Sequence, residues 1–174
     1  YIWDTENIYF SWWQKTLLAP LLFLLRKIDI KHSGRPDYII ANSLFVKDWI
    51  KKNYNLESSV IYPPVDTKLF KFQKNKQDYF ITTARLEPYK RVDLLVKAFN
   101  KTGDILYVVG DGSMKKRLRK TAKQNIKFFD FLEPKEVMGL VSKAKAFVHA
   151  GIEDFGIAPV EAQSCGTPVI AYNL

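Results

Sequence analysis

From residue 78 onward, short apolar runs alternate with longer mixed segments along the chain. The runs 79–84 (YFITTA), 105–109 (ILYVV), 126–129 (IKFF), 146–149 (AFVH) and 168–171 (PVIA) read as strands, and helices fill 91–101, 113–124, 134–142 and 157–165. Regular alternation of this kind predicts an α/β fold with a parallel, doubly wound sheet. Upstream, 36–41 (PDYIIA) is a buried-strand pattern, Asn42 or Ser43 caps a helix over 44–52, and 60–65 (VIYPPV) is a strand ending at the rigid pair Pro63-Pro64. Residues 67–77 are polar and basic, with Lys68, Lys71, Lys74 and Lys76. They read as a link, giving an expected organisation of 1–66, a linker 67–77 and a second domain over 78–174.

Residues 1–33 are dense in aromatics and leucine. The apolar stretch 17–25 is interrupted by Pro20 and is far shorter than the roughly 20 residues a membrane-crossing helix needs. Two readings of this segment stand. One is a helix lying on a membrane surface, with Trp12 and Trp13 at one end and Arg26 and Lys27 at the other; the other is a helix packed on a core outside the segment.

The strand order predicts where a ligand binds. In the usual order of a doubly wound sheet, the first and fourth strands of the second domain are neighbours, and a crevice opens between their carboxyl ends. The loops expected to meet there are 85–90 (RLEPYK) and 150–156 (AGIEDFG). The first brings Arg85 and Lys90. The second brings Glu153, Phe155 and Gly156, and leads into a helix beginning at Ile157 with Pro159 in its opening turn, where the missing N–H is not needed. Gly156 allows close backbone approach, and the free N–H groups of the helix start suit an anion. Glu161, about one turn further on, is placed to accept hydrogen bonds from sugar hydroxyls attached to a phosphate held there. Glu153 faces what is attached on the phosphate's other side.

Composition then narrows the partners. The 174 residues are 47% hydrophobic and 26% charged, which fits a globular chain, and 27 Lys plus Arg against 18 Asp plus Glu give a net charge of +9. That balance favours anionic partners. Much of the excess lies in one run, Lys115, Lys116, Arg117, Arg119, Lys120, Lys123 and Lys127, which reads as a solvated helix face. The single cysteine, Cys165, forms no internal disulfide and suggests a reducing, cytoplasmic setting. His32 and His149 are too scattered for a metal site, and His149 reads as strand-end packing; Asp93 reads as a helix-surface residue. The chain shows no secretory signal and does not begin with Met, so it reads as a piece of a longer protein or a trimmed form.

Glu153, Phe155, Gly156 and Glu161 together resemble the Glu-x-Phe-Gly-x-x-x-x-Glu motif of retaining, nucleotide-sugar-dependent glycosyltransferases of family 4 (group 1), which have the GT-B fold. The wording EDFGIAPVEAQSCGTPVIAY, and the opening Tyr1-Ile2-Trp3-Asp4, are similar to the O-antigen mannosyltransferase branch. The resemblance implies a Rossmann-like donor-binding domain preceded by the tail of an acceptor-side domain. It implies that Arg85 and Lys90, spaced like the family's phosphate-binding pair, hold the diphosphate and stabilise the leaving charge, with Glu153 positioning the transferred sugar. It places Gly110, Asp111 and Gly112 in the donor cleft, although a plain strand-to-helix turn explains that triplet equally well. It places Phe131 and Leu132 in the loop that receives the base, and Phe155, Gly156, Ile157 and Glu161 on the nucleotide.

The implied donor is a nucleotide sugar, GDP-mannose by branch resemblance, with no other cofactor and no metal. The implied acceptor is a glycan or lipid-linked glycan, with peripheral contact to acidic inner-membrane surface and no nucleic acid. Relatives carry a catalytic histidine before the Tyr-Ile-Trp-Asp region and continue past the position of Leu174 into a Gly-Gly loop. The expectation is therefore a complete donor site and an incomplete active site. The alternative is a non-catalytic basic α/β module that grips nucleic acid or acidic membrane through its lysine-rich helix. A dinucleotide dehydrogenase is set aside, since no Gly-x-Gly-x-x-Gly follows the first strand.

Overall fold

A computed structural model describes residues 12–172. The Tyr1-Ile2-Trp3-Asp4 stretch lies outside them. The chain divides into two compact units, residues 1–63 and 64–174.

The first unit contains α1 (Trp12–Ser33), β1 (Ile40–Ala41), α2 (Leu44–Tyr54) and β2 (Ser59–Val60). Helix α1 runs through Pro20, at which the carbonyl four residues earlier loses its intrahelical donor, and buries none of its residues. No helix of the described residues is long and apolar enough to cross a membrane. Of the two candidate caps it is Ser43 that caps α2, its hydroxyl accepting from the Val46 N–H at 3.1 Å, and Asn55 closes the helix in the left-handed region. The two strands pair in parallel through only Ile40 with Ser59 and Ala41 with Val60. They are shorter than the apolar runs suggested. Pro63 and Pro64 have no N–H to extend the ladder, which is why the apolar run outlasts the strand.

The second unit is a five-stranded, all-parallel sheet in the order β5-β4-β3-β6-β7. Its elements are β3 (Phe80–Thr83), a 3-10 turn (Pro88–Lys90), α3 (Val92–Thr102), β4 (Leu106–Val109), α4 (Lys115–Thr121), β5 (Ile126–Phe129), α5 (Pro134–Lys143), β6 (Ala146–His149), α6 (Ile157–Ser164) and β7 (Val169–Ala171). All five strands and four helices expected from the pattern are present. Strand residues alternate between two apolar clusters, one on each face of the sheet. Leu106 and Val108 join Val92, Val96 and Phe99 of α3 and Leu118 of α4 in one; Val109 joins Ile81, Phe147, Val141 of α5 and Ala162 of α6 in the other.

Residues 70–77 are bound to this unit. The Gln73 N–H donates to Cys165 O, the Gln77 N–H to Lys143 O, and Lys76 Nζ to Ser142 O, Cys165 O and Thr167 Oγ1 at 2.8, 3.2 and 2.9 Å. Lys76 thus supplies donors to carbonyls at the carboxyl ends of both α5 and α6, where such groups lack intrahelical partners. Cys165 is fully buried beside it.

Helix α4 is shorter than 113–124. Asn100 Nδ2 donates to Thr121 O and Asn100 Oδ1 accepts from the Lys123 N–H, so a side chain from α3 terminates it. The basic run is partly neutralised: Lys115 Nζ lies 2.7 Å and Arg119 Nη2 2.8 Å from Asp130 Oδ1. Asp93, in the first turn of α3, pairs with Arg91 and Lys97 on the surface.

Gly110 and Gly112 both have positive φ, 142° and 156°, and face backbone: a Cβ on Gly112 would lie 2.7 Å from Leu86 O, and one on Gly110 would overlap Ala84 O. The close approach these glycines permit is between the loops after β4 and β3. Gly110→Ala therefore combines backbone strain with a backbone clash, and we expect it to lower unfolding free energy by about 3 kcal/mol, measured by urea denaturation. Gly139→Ala, inside α5 with open space at its Cβ position, serves as the opposite control and should raise unfolding free energy by about 0.5–1 kcal/mol.

Candidate active site

The loops at the carboxyl ends of β3, β4 and β6 form one assembly. β3 is hydrogen-bonded to β4 on one side and β6 on the other, with Phe80 opposite Ala146 and Ile81 opposite Phe147. The expected adjacency of the first and fourth strands is therefore present. Where the loops meet, a Cβ on buried Gly151 would lie 3.1 Å from Lys90 Cα and 3.2 Å from Tyr89 O, so only glycine admits the 3-10 turn so closely.

Across that contact the Lys90 ammonium pairs with Glu153 Oε1, both side chains mostly shielded from solvent. The cation of the first loop and the carboxylate of the second are thus brought together. Lys90 Nζ also lies 5.0 Å from the Tyr89 ring centroid. Arg85 opens the same loop and is exposed.

Glu87, which the sequence did not single out, fastens this loop to the one after β4. Its carboxylate accepts from the Ser113 N–H at 2.9 Å and the Ser113 hydroxyl at 2.6 Å. Those bonds hold the carboxyl below the usual range, with a smaller contribution from Arg85. Backbone bonds from Leu86 N–H to Asp111 O and from Met114 N–H to Leu86 O complete the seam. Asp111 accepts from the Gly112 N–H at 2.8 Å and lies 3.3 Å from Lys115 Nζ, so it acts within its own turn and is held below its usual pKa mainly by that backbone bond.

Gly156 is the N-cap of α6 at φ 80°, and among the described residues no side chain caps the helix. A Cβ there would meet only ordinary contacts, 3.6 Å from Pro159 Cγ and 3.7 Å from Glu153 Cβ, so glycine is favoured by the backbone angle alone. Pro159 falls in the first turn as expected. Ile157 is exposed, Phe155 half-buried, and Glu161 half-buried one turn into the helix, where burial pushes its carboxyl above the usual range.

Two expected base-loop residues separate. Phe131 is 84% exposed after β5, whereas Leu132 packs against the apolar cluster containing Val109 and Phe147, because the capping box of Glu133 and Glu136 starts α5 immediately and turns Leu132 inward.

His149 packs at the end of β6, as expected, and it also reaches the site. It is 7% exposed, and its Nε2 is 3.3 Å from Glu153 Oε1. Burial pushes its pKa below the usual 6.5, with Glu153 opposing and Lys90 reinforcing that shift. The only sequence signal for this role was its spacing, four residues before Glu153 at a strand end. A surface depression lined by Asn100, Lys101, Gly103, Lys123, Gln124 and Asn125 lies at the opposite, amino ends of β4 and β5. Its Asn100, Lys123 and Asn125 side chains are consumed by mutual and backbone hydrogen bonds, so the site chemistry is not there.

Comparison with known proteins supplies the family. Residues 65–174 match the family described as Glycosyl transferases group 1. The O-antigen chain mannosyltransferase RfbU of Salmonella typhimurium is 31% identical over 164 residues, covering 87% of this chain and 45% of that protein. A GDP-mannose-dependent monoacylated alpha-(1-6)-phosphatidylinositol monomannoside mannosyltransferase of Corynebacterium glutamicum is 34% identical over 104 residues, covering 51% of this chain and 27% of its own length. The chain spans less than half the length of these relatives. Among solved structures, Anabaena HepE in complex with UDP and glucose superposes with a TM-score of 0.71 at 22% identity over 84% of this chain and 47% of its own. TarM superposes with a TM-score of 0.71 at 19% identity over 85% of this chain and 32% of its own. Such structural likeness establishes the GT-B type α/β fold, and the family match extends from the segment bound beneath α6 through the Lys90–Glu153 contact to β7. This chain belongs to the group 1 glycosyl transferases.

Proposed function

We propose that the parent protein transfers mannose from GDP-mannose to a membrane-linked glycan acceptor with retention at the anomeric carbon, and that residues 64–174 bind the donor. The observation that carries the reading is the convergence of the Arg85–Lys90 loop, the uncapped start of α6 and the Glu153 carboxylate at the neighbouring carboxyl ends of β3 and β6. Mannose and the guanine base draw on the relatives in Salmonella and Corynebacterium.

As the glycosyl bond breaks, negative charge grows on the diphosphate, and fixed cations and backbone donors stabilise it. Arg85 offers a planar fork and Lys90 a point charge for that purpose. The first N–H groups of α6 add uncharged donors whose helix dipole favours an anion. Glu161 accepts from the ribose hydroxyls, and Glu153 orients the transferred sugar. The two cations stand in for a divalent metal in this reading.

Calorimetric titration with GDP, UDP and ADP tests the donor assignment. We expect selective binding of GDP, insensitive to EDTA and weakened about 10- to 100-fold by Arg85→Ala and by Glu161→Ala, the scale of losing charge-assisted hydrogen bonds. The rival basic module instead predicts steep salt dependence and no effect of Glu161→Ala.

Glu161 provides an independent check through stability. Its folded pKa is raised by burial, so the ionised carboxylate opposes folding above that pKa, and the penalty vanishes as pH falls below the unfolded value near 4.5. Glu161→Gln is expected to raise Tm at pH 7 to 8, to leave it unchanged near pH 4, and to weaken nucleotide binding. A loss of stability at pH 7 would show Glu161 to be a structural group instead.

A further inference from the structure

Two nitrogens converge on one oxygen. Lys90 Nζ pairs with Glu153 Oε1, and His149 Nε2 lies 3.3 Å from the same atom. The approach of His149 lacks hydrogen-bond direction, and among the described residues its Nε2 has no hydrogen-bond partner although the ring is more than nine-tenths buried. The backbone of Gly151 also acts on the ring, favouring its protonated form. A buried ring nitrogen without a partner normally demands an explanation. Here the ring faces a carboxylate without a hydrogen bond to it, and Lys90 makes that arrangement tolerable by neutralising the shared oxygen.

Binding of a diphosphate donor at this site, the proposed function on which the inference rests, places a second demand on Lys90. The single charge of that ammonium is then divided between Glu153 and the phosphates. We propose that His149 is a positioning residue that replaces Lys90 on Glu153: when a nucleoside diphosphate draws Lys90 onto its phosphates, His149 takes a proton from solvent at Nε2 and donates it to Glu153 Oε1 in a hydrogen bond. The carboxylate then stays anchored on its β6 side while its other oxygen faces the transferred sugar. The charged groups acting on the ring are Glu153, from its own loop, and Lys90, from the 3-10 turn packed against it. Burial and Lys90 hold the free ring neutral; moving Lys90 away leaves burial opposed by an uncompensated carboxylate, which favours the imidazolium. Donor binding and proton uptake are thereby linked.

Calorimetry with GDP and UDP on the 174-residue chain at pH 6.5, in MES and in imidazole buffers, measures the protons exchanged on binding. The nucleotide's own phosphate releases protons in every variant, so the comparison is between variants. The expected result is that the wild type takes up more protons per nucleotide than His149→Asn, by a difference approaching one, and that Glu153→Gln matches His149→Asn. Equal proton counts in all three would overturn the proposal.

Nitrogen NMR of the imidazoles covers the case in which His149→Asn fails to fold, and His32 is the only other histidine to assign. The bound wild type should show a His149 imidazolium, and a neutral ring in the bound state would overturn the exchange. Without nucleotide, Lys90→Met should raise the His149 titration midpoint; an unchanged midpoint would sink the exchange even where nucleotides bind. A raised midpoint with no nucleotide bound would instead remove the donor-site reading, and the linkage to donor binding with it.

Discussion

The parallel pairing of β3 with β6 is the constraint on which the second unit depends. Phe80 opposite Ala146 and Ile81 opposite Phe147 set two strands side by side that are more than sixty residues apart in sequence. Their carboxyl ends then emerge together, so the loops carrying Lys90 and Glu153 have no room to avoid each other. Gly151 is the local expression of that crowding, since any side chain there would press on the Lys90 backbone. A cation and an anion brought together at such a seam form a pair because neither is well solvated, with solvent access reduced to 14% and 27% of their side chains.

Around that seam, the loops are held by bonds that do not involve a ligand. Glu87 grips Ser113, Gly110 and Gly112 let the loop after β4 lie against Ala84 and Leu86, and Lys76 ties the segment entering the unit to the carboxyl end of α6. The groups to which the proposed function gives chemical roles lie outside this framework: Arg85, Lys90, Glu153, the N–H groups at the start of α6, and Glu161. That division explains why the Gly-Asp-Gly turn looks like a ligand motif yet is accounted for locally. Its glycines are required by backbone, and its aspartate by its own turn and Lys115.

The first unit follows other rules. Helix α1 buries none of its residues, and large apolar side chains such as Trp12, Leu17 and Phe23 are exposed along it. Helix α2, by contrast, has one buried position, Ile50, and a complete set of caps, with Tyr54 donating to Asp29 Oδ2 at 2.7 Å. Local sequence signals specify α2 well because capping is a contact between residues three apart. They leave open whether α1 serves a protein core or a lipid surface, because exposed apolar side chains flanked by basic residues suit both.

The sequence by itself determined the parallel α/β class, the five strands and four helices of the second unit, a cap for α2 at Asn42 or Ser43, and the loop pair 85–90 with 150–156 as the place where charges meet. Each of these depends on short-range patterning or on the fixed handedness of strand-helix-strand connections, which a linear chain records directly. Tertiary structure decided the rest. It ended α4 at Thr121 through Asn100, turned Leu132 into the core while leaving Phe131 in solvent, assigned Glu87 to Ser113, and brought His149 to Glu153. Apart from the four-residue spacing of His149 and Glu153, none of these is written along the chain, because hydrogen bonds between side chains of separate elements, and the burial that shifts a histidine's pKa, exist only once the two faces of the sheet have closed.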